Sequence, residues 1–230
     1  MKPKIAEQIK KILSSSSSNR EYLSSFQSIL VGSAFDTMPE VEVSILTVDT
    51  IEDPRHRTIA NGRANLQVLD NLLEQPDGLY VICDIDIMFL SSIEPIKDLD
   101  FDVAVTVRDI PARYNSGVWF VRLEKARPFL KSWRDELERE INNFDKEKLW
   151  ILRWAGINQS SLATTIDQNP SINLIELPCL EWNATQSEWD RVTPQTKAVH
   201  LKGELRRMIL GQQEPEDNLF PLIKKAQEYL

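Results

Sequence analysis

Residues 79–90 read LYVICDIDIMFL, a mostly apolar run that meets Asp84-Ile85-Asp86 and then turns apolar again. Bounded upstream by the turn signal Pro76-Asp77-Gly78, residues 79–83 read as a buried strand. In a strand, residues i and i+2 share a face and lie ~6.6 Å apart, so two carboxylates at that spacing can reach one ligand. Two ionised carboxylates side by side in an apolar setting are costly. A divalent cation removes that cost, because hard cations favour carboxylate oxygens. The competing account is a strand that simply ends, with its acids in solvent. Asp100-Phe101-Asp102 has the same spacing but precedes its strand, whereas Asp84 and Asp86 follow theirs. Ligands of open α/β sheets bind beyond the carboxyl ends of strands, which favours the first pair and leaves the second as a solvated approach.

The rest of the chain alternates between the two hydrophobic periods. Helical spacing is predicted over 22–34, 58–74, 124–143 and 157–167, and from 215 onward. Strands are predicted at 41–48, 79–83, 102–107 and 116–121, with short ones at 172–177 and 197–201. Strands alternating with helices imply an α/β fold with a mostly parallel sheet covered on both faces. One domain over 1–230 is expected, there being no repeat and no long linker. Two readings of Ser14–Ser18 stand: a flexible linker, or the exit loop of a first strand at Lys11–Ser16 with Asn19 near the next N-cap.

A net charge of −8 argues against broad nucleic-acid or anionic-membrane binding. An anionic substrate would need a local cluster of cations or a metal. No apolar stretch approaches the ~20 residues of a transmembrane span. MKPKIAEQIKKIL lacks the apolar core of a secretory signal, and Cys83 and Cys179 are too few for a disulfide framework. A cytoplasmic, reducing location is therefore expected, with both thiols buried.

A strand-terminal Asp-x-Asp fits two chemistries. In a haloacid dehalogenase-type phosphatase, Asp84 would be the nucleophile and Asp86 the acid/base. That chemistry needs a late acidic pair, usually after a glycine, and the sequence has no Gly-Asp dipeptide. The other is nucleotide-sugar transfer. Downstream come Tyr114-Asn115-Ser116-Gly117-Val118, Asn158-Gln159, Trp182-Asn183 and Val199-His200-Leu201-Lys202-Gly203. This order, over roughly 11–207, resembles the GT-A fold glycosyltransferases, especially the glycogenin-like and lipopolysaccharide galactosyltransferase-like retaining enzymes.

The resemblance implies a Rossmann-like central sheet with a small antiparallel addition. It implies a metal site of Asp84, Asp86 and His200 for Mn²⁺ (or Mg²⁺), a donor set that suits that ion. It implies donor binding by Ser14, Ser15, Arg63, Asn115, Ser116, Gly117, Lys202 and Gly203. Arg206 and Arg207 stand where the family often carries a basic residue, and a solvated helix face accounts for them equally well. Asn61-Gly62 would let the chain turn so that Arg63 approaches the donor. Gln159, Asn158 and Asn115 are the implied catalytic residues. The family usually has Asp where Asn158 stands, a departure that removes a charge beside the reacting carbon. Trp182 and Asn183 would face the acceptor, while Trp119, Trp133, Trp150 and Trp154 read as packing residues. Asp109 and Asp190 remain unassigned acids, and His56 reads as solvated. The implied reaction moves a hexose from a nucleoside diphosphate, UDP by resemblance, to a hydroxyl on a glycan, lipid-linked or protein acceptor, with retention. A non-catalytic nucleotide-sugar-binding domain is the alternative.

Overall fold

The computed structural model describes residues 6–11, 18–40, 42–47 and 57–230. Six strands form the main sheet in the order β2-β1-β3-β6-β5-β7. They are β1 (Ala6–Lys11), β2 (Glu42–Thr47), β3 (Leu79–Asp84), β5 (Val103–Val107), β6 (Tyr114–Arg122) and β7 (Leu174–Pro178). All neighbours pair in parallel except β6, which runs against both β3 and β5. A second, two-stranded antiparallel sheet joins β4 (Ile87–Phe89) to β8 (Ala198–His200). The mostly parallel sheet and the small antiparallel addition expected from the sequence are both present.

Strand alternation divides the core. Tyr80 and Ile82 of β3, Val103 and Val105 of β5, and Trp119 and Val121 of β6 face one way. Against them pack α2 (Arg57–Leu73), α3 (Leu123–Asn142) and α5 (Ile157–Gln168), through Val68, Leu69, Leu72, Phe129, Leu130, Trp133 and Leu162. Val81 and Cys83, Ala104, and Val118 and Phe120 face the other way. There they meet α1 (Ser18–Thr37), β4 and the single turn α6 (Cys179–Trp182). The period of two in β3, β5 and β6 is thus the burial pattern of a sheet with helices on both faces. A third cluster buries α7 (Gly203–Ile209) and α8 (Phe220–Gln227) against α1, β4 and β8. The short helix α4 (Phe144–Arg153) links α3 to α5. Among the described residues no helix is long and apolar enough to cross a membrane.

Two expectations need correction. The first strand ends at Lys11 instead of beginning there, because residues 6–11 fill the slot between β2 and β3. Ser14 and Ser15 lie outside the described residues, as does His56. Asn61-Gly62 makes no turn: both residues lie inside α2. A Cβ on Gly62 would come within 3.0–3.1 Å of Ile157 and Ile141, so this glycine lets α2 close on α3 and α5.

Candidate active site

The carboxylate pair does not lie along an extended strand. Asp84 is the last residue of β3, and Ile85-Asp86 forms a turn into β4. β4 then pairs with β8, Ile87 opposite His200, and the Leu201 amide donates to the Asp86 carbonyl at 2.7 Å. This ladder carries His200 to Asp86 across 114 residues of sequence. His200 Nε2 lies 3.1 Å from Asp86 Oδ1 and 3.5 Å from Asp84 Oδ2. One donor atom from each of the three falls within 4.8 Å of the others, a grouping unique among the described residues.

Asp86 is held from two sides. Arg206 of α7 donates to its Oδ2 while His200 meets its Oδ1. The same guanidinium donates to the Leu201 carbonyl at 3.3 Å and lies over the Phe26 ring. Burial alone would push the Asp86 carboxyl up, but His200, Arg206 and Lys202 outweigh it and hold the group well below the usual carboxylate range. Burial holds the His200 imidazole below its ordinary value; Lys202 adds to that, and Asp86 and Asp84 act against it. An ionised carboxylate and a neutral imidazole are the forms that ligate metals.

The geometry fits a divalent ion. An ion ~2.1–2.4 Å from each ligand spans donor pairs up to ~4.8 Å apart. Asp86 Oδ1, Asp84 Oδ2 and His200 Nε2 would hold it, with Arg206 keeping the other oxygen of Asp86.

β6 closes over the histidine by a bulge. Val105 pairs with Trp119, but the next residue, Thr106, pairs with Asn115, so residues 116–118 have no partner on β5, although Val118 still pairs with Cys83 of β3. The Thr106 hydroxyl lies 2.8 Å from the Asn115 carbonyl and 3.0 Å from that of Val118, and so holds both ends of the bulge. The buried Asn183 amide donates to Thr106 Oγ1, and Asn115 Oδ1 accepts the Gly117 amide proton at 2.9 Å. Gly117 is thereby pressed on His200: a Cβ there would lie 2.6 Å from Cε1 and 2.7 Å from Nδ1. The bulge aims backbone at a functional group, as bulges beside active sites commonly do.

The other predicted positions divide. Lys202 is exposed and acts through its charge, and Gly203 takes a positive φ (53°) at the start of α7. Ser116 is half-buried in the bulge, and Asn115 is buried with its amide oxygen engaged there. Arg63 is exposed on α2. Asn158 and Gln159 lie in the first turn of α5; Asn158 Oδ1 is buried without a hydrogen-bond partner. Gln159 folds over Gly156, where a Cβ would sit 2.8 Å from its Oε1. Trp182 and Asn183 do not face an acceptor. Trp182 packs edge-on against Phe120, and Asn183 is fully buried on Thr106. Asp109 and Asp190 are exposed. Arg207 pairs with Glu204 and Gln213 on the solvated face of α7. Only the helix phase of α7 separates it from Arg206, and the sequence treats the two alike. Thr106 carried no sequence signal at all.

A mostly parallel sheet with one reversed strand, and an Asp-x-Asp at the end of its third strand, define a GT-A-like fold. Among solved structures, the chain is similar to a glycosyltransferase involved in the glycosylation of the major capsid of PBCV-1 (TM-score 0.60, 10% identity, 99% of each chain covered). It is similar to the apo form of the glycosyltransferase GlyE of Streptococcus pneumoniae TIGR4 (TM-score 0.62, 13% identity), covering 99% of this chain and 60% of that one. It is also similar to the galactosyltransferase LgtC in complex with donor and acceptor sugar analogs (TM-score 0.52, 12% identity, 98% and 94% covered). No protein-family model matches the sequence, and no curated protein matches it. At these identities the likeness is one of fold.

Proposed function

We propose that the protein is a metal-dependent glycosyltransferase that moves a hexose from a nucleoside diphosphate sugar, UDP-linked, to a hydroxyl acceptor with retention. The observation that carries this reading is the convergence of Asp84, Asp86 and His200 at the carboxyl end of β3, in the fold of known glycosyltransferases. Mn²⁺ or Mg²⁺ held there would act as a Lewis acid on the departing diphosphate. Lys202 and Arg206 add fixed positive charge where the leaving group gains negative charge, which stabilises the transition state without reorganisation. They also supply the local cations that a chain of net charge −8 otherwise lacks. The bulge of Ser116 and Gly117 presents backbone to the donor, and Asn158 and Gln159 offer amides to the sugar hydroxyls. Neither amide can serve as a general base, which accords with a retaining course.

The phosphatase reading is disfavoured by Asp86, whose carboxyl His200, Arg206 and Lys202 hold ionised, leaving it no proton to give as a general acid. The test is Mn²⁺-dependent hydrolysis or transfer with a panel of nucleoside diphosphate hexoses. Wild type should turn over at least one donor and Asp86→Ala none. Donor-dependent thermal stabilisation without turnover would instead establish the binding-only alternative. Activity on a small phosphomonoester with Mg²⁺ alone would point to the phosphatase.

A further inference from the structure

The reading above uses the first turn of α5 but does not say what holds it. The two residues that lead into it take positive φ: Ala155 has φ 60° and Gly156, at the N-cap, φ 147°. The helix has no side-chain N-cap and no acid in its first turn, so nothing local satisfies its positive end. Strained backbone of this kind persists only where neighbours over-determine it.

The neighbours are on α3. Trp133 Nε1 donates to Ser161 Oγ at 3.0 Å, and Ser161 Oγ in turn lies 3.2 Å from the Asn158 carbonyl. Ser160 Oγ bonds Glu140 Oε2 and lies 3.1 Å from the Ile157 carbonyl. Glu140, Ser160 and Ser161 are fully buried, and Glu140 Oε1 is buried without a hydrogen-bond partner. Two serines thus tie the carbonyls of residues 157 and 158 to α3, one through an indole and the other through a carboxyl. Trp154, just upstream, stacks on Tyr114, which precedes Asn115 in β6. The turn is therefore linked to the bulge over His200.

We infer that Glu140 is a positioning residue for Asn158 and Gln159, acting through Ser160. The two proton states of its carboxyl make different bonds. As a carboxylate it can only accept, so the Ser160 hydroxyl donates to it and turns from the Ile157 carbonyl. As an acid it donates to Ser160 Oγ, and the hydroxyl is free to donate to Ile157. Burial pushes the Glu140 carboxyl up to about 7, with the Ser160 bond acting against it and Glu136 adding to it. The other charges around it are Arg139 on its own helix, which bonds both Glu136 oxygens, and Glu147 of α4, which Arg139 also holds. The first turn of α5 has no charged side chain. α2 carries Arg63 and Asp70, the latter bonded to Arg134.

This inference deepens the proposed function and rests on it, but its test has a readout free of turnover. Glu140→Gln keeps the shape and donates as the protonated acid does; Ser160→Ala removes the link. In ¹H–¹⁵N spectra from pH 5.5 to 8.5, the Ser160 amide and the Gln159 side-chain amide of wild type should shift along one titration curve. In E140Q both should stay at the wild-type low-pH positions, and in S160A the Gln159 signal should no longer follow. With an active donor, kcat should show the same transition in wild type and lose it in E140Q at unchanged KM. Gln159 signals flat with pH in wild type, or a titration that persists in E140Q, would overturn the inference. The titration seen with no turnover of any donor would support the coupling and overturn the glycosyltransferase reading.

Discussion

Gly117→Ala tests the site through a single methyl group. The new Cβ would lie 2.6 Å from His200 Cε1, 2.7 Å from Nδ1 and 3.0 Å from Asn115 Oδ1. Ordinary contact begins near 3.4 Å, so the imidazole or the bulge must give by about 0.8 Å. His200 is fully buried, and the bulge is held by Thr106, so neither gives freely. Overpacking of this size costs ~1–3 kcal/mol. In a chain of this length that lowers the melting temperature by roughly 2–4 °C per kcal/mol. Metal sites tolerate ligand displacements of only ~0.2 Å, so moving His200 should weaken Mn²⁺ binding by ~10–100-fold. Calorimetric titration with Mn²⁺ and a thermal melt measure both. Gly211→Ala is the control: Gly211 has φ 67° with open space around its Cβ, so it should cost stability and leave Mn²⁺ affinity alone. A G117A protein with wild-type Mn²⁺ affinity would refute the view that Gly117 seats His200 for an ion.

Thr106→Val keeps the shape of the side chain but removes the hydroxyl that holds Asn115, Val118 and Asn183. It should cost ~1–3 kcal/mol in urea melts, with weaker Mn²⁺ binding as the bulge relaxes. Arg206→Ala leaves Asp86 Oδ2 without its guanidinium, in a carboxylate whose side chain is 8% exposed. The metal-free protein should lose ~1–3 kcal/mol, and saturating Mn²⁺ should raise the melting temperature of the variant more than that of wild type. Glu140→Gln removes an acid raised from 4.5 to about 7 on folding. Between those values the folded state binds more protons than the unfolded one, so this group makes stability fall as pH rises through that window. Urea melts at pH 5 and pH 8 should show a smaller fall in E140Q, by up to about 3 kcal/mol.

Much of the fold was written in local periodicity, and much of the site was not. The short apolar runs at 79–83 and 102–107 marked strands whose faces the two core clusters now divide. The position of Asp84-Ile85-Asp86 after its strand, against Asp100-Phe101-Asp102 before its own, pointed to the pair that meets His200. What local pattern misread were features decided by a distant partner; His200, 114 positions from Asp86, was reached only through the family resemblance. Ile87-Met88-Phe89 reads as more of the same apolar run, and only pairing with residues 198–200 makes it a separate strand. Gly62 beside Asn61 has the chemistry of a turn, but the side chains of Ile141 and Ile157 claim the space its missing Cβ leaves. Asn183 beside a tryptophan reads as ligand-facing, yet a hydroxyl 77 positions earlier keeps it inside. Structures only 10–13% identical to this chain share its fold, so the backbone arrangement tolerates great change in the side chains that express it.

The ladder between β4 and β8 has a consequence for how the binding centre comes into being. Two of its three donors are two positions apart in the sequence, and the third arrives only with β8. A fragment ending before Ala198 would own both acids and still lack the nitrogen that closes the ring of donors. An ion held by all three would thereby report that the late part of the chain has docked, and ion-dependent protection from proteolysis should appear only once that docking is complete.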